Sequence, residues 1–141
     1  MKSNKNLCSA YQKLFKYILV DEFQDCDEMQ IEFLKIINEG HENSLFAVGD
    51  EDQCIYSFRG SKPEYMVSFD EIFGDAKKYY LSVNYRSKQN IVESSKKLIK
   101  FNKARNNKEI YFNREELGII KWFNTYNEKM QAEKLADIIE E

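Results

Sequence analysis

The stretch "YILVDEFQDCDEMQ", residues 17–30, sets a short apolar run directly against a mostly acidic one. The apolar run "YILV" is typical of a buried β-strand. Acidic residues after a strand often begin the next helix, because carboxylates stabilise a helix N-terminus. At the carboxyl end of a parallel strand they can instead hold a metal ion and a water. These two interpretations compete for Asp21, Glu22, Asp25, Asp27 and Glu28.

Two further apolar runs, "LFAV" (45–48) and "YYLSV" (79–83), are each followed by polar residues and then by apolar residues at helical spacing. This alternation predicts βα units. We therefore expect an α/β fold with a mostly parallel sheet covered by helices on both faces.

Helix boundaries are also marked in the sequence. Asp27 and Gln30 have capping-box spacing, which predicts a helix from there to Gly40. Pro63 is expected to begin a short helix that ends near Gly74. Three further elements are predicted: a helix capped by Ser87 that carries Ile91, Leu98 and Ile99, a strand "IIKWF" (119–123), and a helix with Ala132, Leu135, Ala136 and Ile139 on one face.

Composition restricts the classes of function. The 141 residues carry a net charge of −3, so any contact with nucleic acid must be local. Three scattered cysteines and one histidine, His41, suggest neither a disulfide framework nor a zinc site. No apolar run is long enough for a membrane span, and we expect a cytoplasmic protein without a membrane partner. The basic stretch 96–108 fits a solvated helix face and linker, with phosphate contact as the alternative.

Three motifs carry a family resemblance. "VDEFQD" (20–25), "VGDEDQCIYSFRG" (48–60) and "NYRS" (84–87) resemble motifs II, III and IV of the UvrD/Rep/PcrA family of superfamily one DNA helicases. The resemblance implies an incomplete RecA-like P-loop NTPase domain over residues 1–105. Residues 106–141 would form a linker and the first strand and helix of a second RecA-like domain. The implied activity is that of an ATP-dependent 3′-to-5′ DNA helicase.

The resemblance also implies roles for single residues at the nucleotide. Asp21 would hold Mg²⁺, and Glu22 beside it would be the general base for ATP hydrolysis. Gln24 and Asp25 would couple this site to its surroundings. Gln53 would sense the γ-phosphate or the attacking water.

Further residues would bind the adenine and DNA. By the same resemblance, Tyr85 would stack on adenine and Arg86 would reach the γ-phosphate. Tyr56, Phe58 and Arg59 would contact single-stranded DNA or a single-stranded tail, because aromatic rings stack on bases with little regard for sequence. Tyr56 and Phe58 also have the alternate spacing of core aromatics in a strand, which is the competing interpretation.

The chain departs from the family pattern at one decisive point. The phosphate-binding loop of such enzymes ends in Gly-Lys-Thr or Gly-Lys-Ser, and none of the five glycines here is followed by lysine. We therefore expect a helicase fragment that is inactive alone and functions with the remainder of its chain. A truncated paralogue that binds DNA or a partner, or part of a recombination helicase-nuclease, are the alternatives.

The missing loop also has a structural consequence. In the family's RecA-like sheets, the strand that carries this loop lies between the two strands formed here by residues 45–48 and 79–83. We expect those strands to pair directly, to receive "IIKWF" between them, or to self-associate through exposed sheet edges.

Overall fold

Two short parallel sheets and the helices around them make up the part of the chain that the computed structural model describes, residues 4–39 and 44–140. The α/β prediction is confirmed at this level, although the strands form two separate pairs rather than one sheet. In chain order the elements are α1 Lys5–Leu14, β1 Tyr17–Val20, α2 Glu28–Asn38, β2 Ser44–Ala47, α3 Glu64–Val67, α4 Phe69–Phe73, β3 Val83–Lys88, α5 Gln89–Ile99, β4 Tyr111–Arg114 and α6 Glu128–Glu140.

The first sheet pairs β1 with β2 in parallel, with Ile18 opposite Leu45. The predicted strands "YILV" and "LFAV" are therefore confirmed, except that β2 ends before Val48. Backbone hydrogen bonds continue past the strand ends. Val48 N–H donates to the Val20 carbonyl at 2.8 Å, and Phe23 N–H donates to the Val48 carbonyl at 2.8 Å. The polar segments that follow the two strands are consequently held side by side.

Helix α2 begins with the predicted capping box. The Asp27 side chain accepts a hydrogen bond from Gln30 N–H, and the Gln30 side chain accepts one from Asp27 N–H, both at 2.9 Å. This pair satisfies two of the backbone donors that a helix start leaves free. The helix ends at Asn38, and the predicted stop at Gly40 lies outside the described residues.

The core lies between one face of the first sheet and helices α2, α3 and α4. Phe23 is fully buried at its centre and meets the rings of Phe69 and Phe73 edge-on, at centroid distances of 5.2 and 6.1 Å. Cys26 and three apolar residues of α2 complete the buried cluster: Ile31, Leu34 and Ile37. Phe23 directly follows Asp21 and Glu22 at the end of β1. Its packing in the core therefore also fixes the start of the segment that follows β1.

The opposite face of the first sheet is exposed. Tyr17, Leu19 and Phe46 alternate with the core-facing residues of β1 and β2 and are all more than half exposed. The expectation of a sheet covered on both faces is therefore wrong for the described part of the chain. The helices that follow β1 and β2 pack on one side only.

The second sheet differs from the prediction in both strands. Residues 79–82 are not a strand, and β3 begins only at Val83, so the "NYRS" motif lies inside the strand rather than after it. Its partner is β4, with Val83 opposite Tyr111, and the predicted strand at 119–123 is absent from the described chain. Both wrong predictions rested on apolar character, and the residues concerned are largely exposed, including Leu81, Ile119 and Trp122.

The remaining helix predictions met mixed outcomes. Pro63 precedes α3 as its N-cap, and the single predicted helix divides at Ser68 into α3 and α4. The Ser87 cap is wrong, because α5 starts after Lys88 and without a capping side chain. Helix α6 is confirmed. In the described ranges, none of the helices is long and apolar enough to cross a membrane.

The expected rearrangement of the strands is also resolved in part. Strands β2 and β3 do not pair, and residues 119–123 do not fill a gap between them, so two of the three expected outcomes are wrong. Self-association through sheet edges stays a prediction. The proposed domain boundary at 105/106 lies between β3 and β4, which pair with each other, and it also stays a prediction.

Candidate functional site

Glu22, the second residue of the acidic pair at the end of β1, has an unusual backbone conformation. Glu22 has φ 49° and ψ 46°, and it is the only non-glycine residue with positive φ in the described ranges. Its N–H donates to Asp21 Oδ1 at 3.0 Å, and both side chains are exposed. A left-handed conformation costs an ordinary residue roughly 1–2 kcal/mol, and such residues concentrate at functional sites.

Gln24 connects this pair to the segment after β2. Its side chain is buried, its Nε2 donates to Glu22 Oε2 at 2.7 Å, and its Oε1 accepts from Asp50 N–H at 3.0 Å. The Gln24 side chain and the segment after β2 can come this close because residue 49 is glycine. A Cβ atom at Gly49 would lie 2.6 Å from Gln24 Oε1 and 3.2 Å from the backbone nitrogens of Phe23 and Gln24.

The hydrogen bonds that begin at Glu22 extend through Asp50 to Gln53. Gln53 lies in a 3-10 turn, Glu51–Gln53, and its Nε2 donates to Asp50 Oδ2 at 2.8 Å. Glu22, Gln24, Asp50 and Gln53 thus form one chain of hydrogen bonds across the carboxyl ends of β1 and β2. Open α/β folds bind their ligands at this edge.

A basic segment packs against the acidic turn formed by residues 50–52. Lys108 Nζ lies 2.5 Å from Asp50 Oδ1, 3.1 Å from Glu51 Oε2 and 3.4 Å from Asp52 Oδ2. Arg105 Nη2 lies 3.1 Å from Asp52 Oδ2. The Lys108 side chain is only 13% exposed, so these are partly desolvated ion pairs rather than surface contacts.

These contacts shift the pKa values of both Asp50 and Lys108. Burial alone would raise the pKa of Asp50, but hydrogen bonds from Lys108 and Gln53 outweigh it and lower that pKa below its ordinary value. Burial alone would lower the pKa of Lys108, but its bonds to Asp50 and Glu51 raise that pKa instead. Both residues are therefore charged at neutral pH, which keeps the attraction between them at full strength.

The structure changes the interpretation of the basic stretch 96–108. Lys96 Nζ donates to the Ile110 carbonyl at 3.0 Å, while Arg105 and Lys108 bind the acidic turn. Arg105 and Lys108 are therefore neither free for phosphate nor part of a solvated helix face, whereas Lys96 lies on α5 with an exposed side chain. The solvated interpretation holds for the exposed side chains of the stretch, such as Lys100 and Lys103.

Asp25 lies in a 3-10 turn, between the buried residues Gln24 and Cys26. Its Oδ1 is buried and lacks a hydrogen-bond partner among the described residues. The neighbouring Cys26 thiol has a raised pKa, first because of burial and then because of the charges of Asp27 and Asp25. The coupling role expected for Asp25 stays a prediction.

The segment after the acidic turn presents aromatic rings to solvent. Phe58 is 80% exposed, and Tyr56 meets it edge-on with a centroid distance of 5.9 Å. The Arg59 guanidinium carbon lies 5.8 Å from the Tyr56 ring centroid. Neither ring contributes to the buried core, so the core-aromatic interpretation is wrong. A cation grouped with exposed rings can engage both the phosphates and the bases of a single strand.

Tyr85 and Arg86 lie on β3, in the second sheet. Both side chains are exposed, and the Asn84 side chain shapes their backbone by accepting hydrogen bonds from the N–H groups of Arg86 and Ser87. In the described part of the chain, no hydrogen bond or ion pair joins Tyr85 or Arg86 to Asp21, Glu22 or Gln53. Hydrogen bonds of the described residues therefore join the first two motifs to each other but do not join either of them to Tyr85 or Arg86.

The acidic pair suits one type of metal site. Within residues 4–39 and 44–140, no three His, Cys, Asp or Glu side chains group closely enough to hold an ion by themselves. Magnesium bound with a nucleotide needs only one or two carboxylates, because phosphate oxygens and waters complete its shell. Asp21 and Glu22 can supply such carboxylates.

Sequence reasoning missed the central position of Asp50 and the contribution of Lys108. Asp50 has a visible signal, because it follows a predicted parallel strand and so belongs at the same sheet edge as Asp21. Lys108 has none, since 58 residues separate it from its partner Asp50.

Comparisons with known proteins give a consistent result. Residues 1–74 match the family model described as the UvrD/REP helicase N-terminal domain. The chain is 37% identical over 139 residues to the ATP-dependent DNA helicase Rep of Buchnera aphidicola subsp. Schizaphis graminum, covering 99% of this chain and 21% of that protein. It is 36% identical over 123 residues to the ATP-dependent DNA helicase PcrA of Staphylococcus epidermidis, covering 87% and 17%.

A third relative is DNA helicase II of Haemophilus influenzae, with 37% identity over 138 residues that cover 95% of this chain and 19% of that protein. The chain therefore spans about a fifth of the length of the curated relatives it matches.

Proposed function

This chain belongs to the UvrD/REP helicase family, and we propose that it is part of an ATP-dependent 3′-to-5′ DNA helicase. It contributes the carboxylates that act on Mg²⁺ and on the attacking water at the ATP site. It also contributes a surface for single-stranded DNA. The observation that carries the proposal is the hydrogen-bond chain from Glu22 through Gln24 and Asp50 to Gln53. It joins the proposed water-activating carboxylate to the proposed γ-phosphate sensor at the ligand-binding edge of the sheet.

Asp21 and Glu22 divide the work at the nucleotide. Asp21 would hold the hydrated Mg²⁺, which when bound offsets the charge of the β- and γ-phosphates. Glu22 accepts the proton of the attacking water through its carboxylate. Gln24 supports this task, because its amide donates to Glu22 Oε2 and thereby fixes the orientation of the carboxylate group.

Gln53 and the "NYRS" pair act on the phosphate and the base. Gln53 is exposed beside Asp50 and can donate a hydrogen bond to a γ-phosphate oxygen or to the attacking water. Tyr85, which is 66% exposed, offers a face for stacking on adenine, and Arg86 offers a guanidinium for the transferred phosphate. In this proposal one nucleotide contacts both this pair and the carboxylate of Glu22.

The surface formed by Tyr56, Phe58 and Arg59 is the proposed DNA contact. It follows Gln53 directly in sequence, so a change in the position of the turn at Gln53 is transmitted to the aromatic rings over only a few residues. Stacking of bases on exposed rings contributes about 1–3 kcal/mol per base and tolerates any sequence. The state of the bound nucleotide and the affinity for DNA can therefore be coupled through one short segment.

The test is made on the full-length protein that contains this chain. We expect ATP hydrolysis with Mg²⁺ that rises when single-stranded DNA is added, and unwinding of a duplex with a 3′ tail but not of one with a 5′ tail. Absence of DNA-stimulated ATP hydrolysis would contradict the proposal. Unwinding from 5′ tails alone would contradict only its polarity.

A further inference from the structure

The acidic turn, residues 50–52, is unfavourable by itself. It sets three carboxylates in a row, and the side chains of Glu51 and Asp52 are only 3% and 5% exposed. Buried carboxylates need charged or hydrogen-bonding partners to offset the loss of water. Neighbouring like charges add repulsion between them.

Four residues of the segment 102–108, here called the latch, supply those partners. Lys108 contacts all three carboxylates. Asn102 and Arg105 both bind Asp52, each at 3.1 Å, and Asn106 N–H donates to Glu51 Oε1 at 2.8 Å. Each carboxylate of the turn is therefore satisfied by the latch.

The latch and Gln53 bind the same carboxylate, that of Asp50. Lys108 Nζ binds Oδ1 of Asp50, while Gln53 Nε2 binds Oδ2 of the same group. The backbone N–H of Asp50 is in turn held by Gln24. A change in the orientation of the Asp50 carboxylate would consequently move the Gln53 amide.

We propose that Lys108 is a positioning residue for Gln53. Through Asp50 it holds the Gln53 amide where the γ-phosphate or attacking water would meet it. It also makes the shape of the turn conditional on docking of the latch, which lies just before β4. The consequence for ATP hydrolysis rests on the proposed function, whereas the consequence for the conformation of the turn does not.

The conformational consequence is tested on the 141-residue chain by amide hydrogen exchange and by the NMR signals of the Gln53 side-chain amide. In Lys108→Met we expect exchange at residues 50–53 to quicken about tenfold or more, and the Gln53 signals to shift. Lys108→Arg keeps the charge and is expected to retain most of the protection. Lys103→Met, which removes an exposed lysine of the same segment, is the matched control and should change neither readout.

Unchanged Gln53 signals and exchange rates in Lys108→Met would overturn the proposal. Protection of Ile31 and Leu34 in α2 reports whether the core stays folded in each variant. If Lys108→Met unfolds the core, Lys108→Gln replaces it as the test, because it removes the charge that contacts Asp50 but keeps a polar hydrogen-bond donor at this position. We expect the same residues to lose protection there, to a smaller extent, and no loss would overturn the proposal.

The catalytic consequence is measured on the full-length protein. In Lys108→Met we expect kcat for ATP to fall about 10- to 100-fold, because small misplacements of a reacting group reduce turnover to this extent. The KM for ATP should stay within about twofold, and Lys108→Arg should recover most of kcat. A native kcat in Lys108→Met would contradict the proposal. If the native protein hydrolyses no ATP, the proposed function is wrong, and the exchange experiment still decides the positioning of Gln53.

Discussion

At the scale of single residues, the acidic stretch after β1 separates into parts with different tasks. Asp27 caps α2, as its spacing with Gln30 predicts. Asp21 and Glu22 lie at the sheet edge, and Glu22 has a left-handed backbone conformation that helix capping does not require. Strand β1 and the Asp27 cap could therefore be predicted from the sequence, because their patterns depend on neighbours in the chain. The bridge made by Gln24 could not, since it depends on the approach of β2.

Gly49 offers a test of this bridge. A Cβ atom at Gly49 would overlap Gln24 Oε1, so Gly49→Ala forces the Gln24 side chain or the two loops apart. We expect the free energy of unfolding to fall by about 1–3 kcal/mol, as for other overpacked buried sites. Urea unfolding of the 141-residue chain measures the change.

As the matched control, Gly49→Ala is also introduced into the Gln24→Ala variant. In Gln24→Ala the nearest clashing atom is gone, so the additional cost of Gly49→Ala should shrink by about 1 kcal/mol. Equal costs in both backgrounds would show that the close approach of Gln24 is not what requires glycine at this position.

At the scale of elements, the packing of the latch on the acidic turn predicts a defined dependence on pH. The pKa of Asp50 is lowered from 3.8, so its contribution to stability is lost as the pH falls from there through the lower folded-state value. The pKa of Lys108 is raised from 10.5, so its contribution is lost as the pH rises from there through the higher folded-state value. Between these limits both contributions are complete.

Urea unfolding of native chain and Lys108→Met over a series of pH values measures this effect. We expect the native chain to be more stable by about 1–3 kcal/mol from about pH 5 to 9, less than for a fully buried pair because both groups retain some contact with water. The difference should shrink at either extreme. A difference that is independent of pH, or one that Lys103→Met reproduces, would argue against the ion pairs as its source.

Two strand predictions are wrong because a local sequence pattern does not identify the partner of a strand. Residues 79–82 and 119–123 are apolar enough for strands, but a strand needs a partner, and β3 finds its partner in β4 at residues 111–114. The pairing depends on which segments meet in three dimensions, and apolar periodicity carries no information about that. The same limit hid the contact between Lys108 and Asp50.

At the scale of the whole molecule, the described chain has a sheet edge equipped with carboxylates and lacks, in its sequence, the loop that would hold phosphates. Backbone amides and a lysine of such a loop supply most of the direct contacts to the β- and γ-phosphates. We therefore expect the 141-residue chain to show negligible ATP hydrolysis and no tight binding of ATP with Mg²⁺. Calorimetric titration measures the binding, with the full-length protein as the positive control. A micromolar dissociation constant for the 141-residue chain would show that the loop is dispensable.

In the full-length protein, Glu22, held by Gln24 at the edge of the sheet, is proposed to activate the water that attacks ATP. The most direct test compares Glu22→Gln with Glu28→Gln, which makes the same change at an exposed residue in the first turn of α2. Nucleotide binding and DNA-stimulated ATP hydrolysis are measured for both variants. We predict that Glu22→Gln binds ATP with native affinity but loses hydrolysis by about a thousandfold or more, while Glu28→Gln behaves as the native protein. Native turnover in Glu22→Gln would contradict the account.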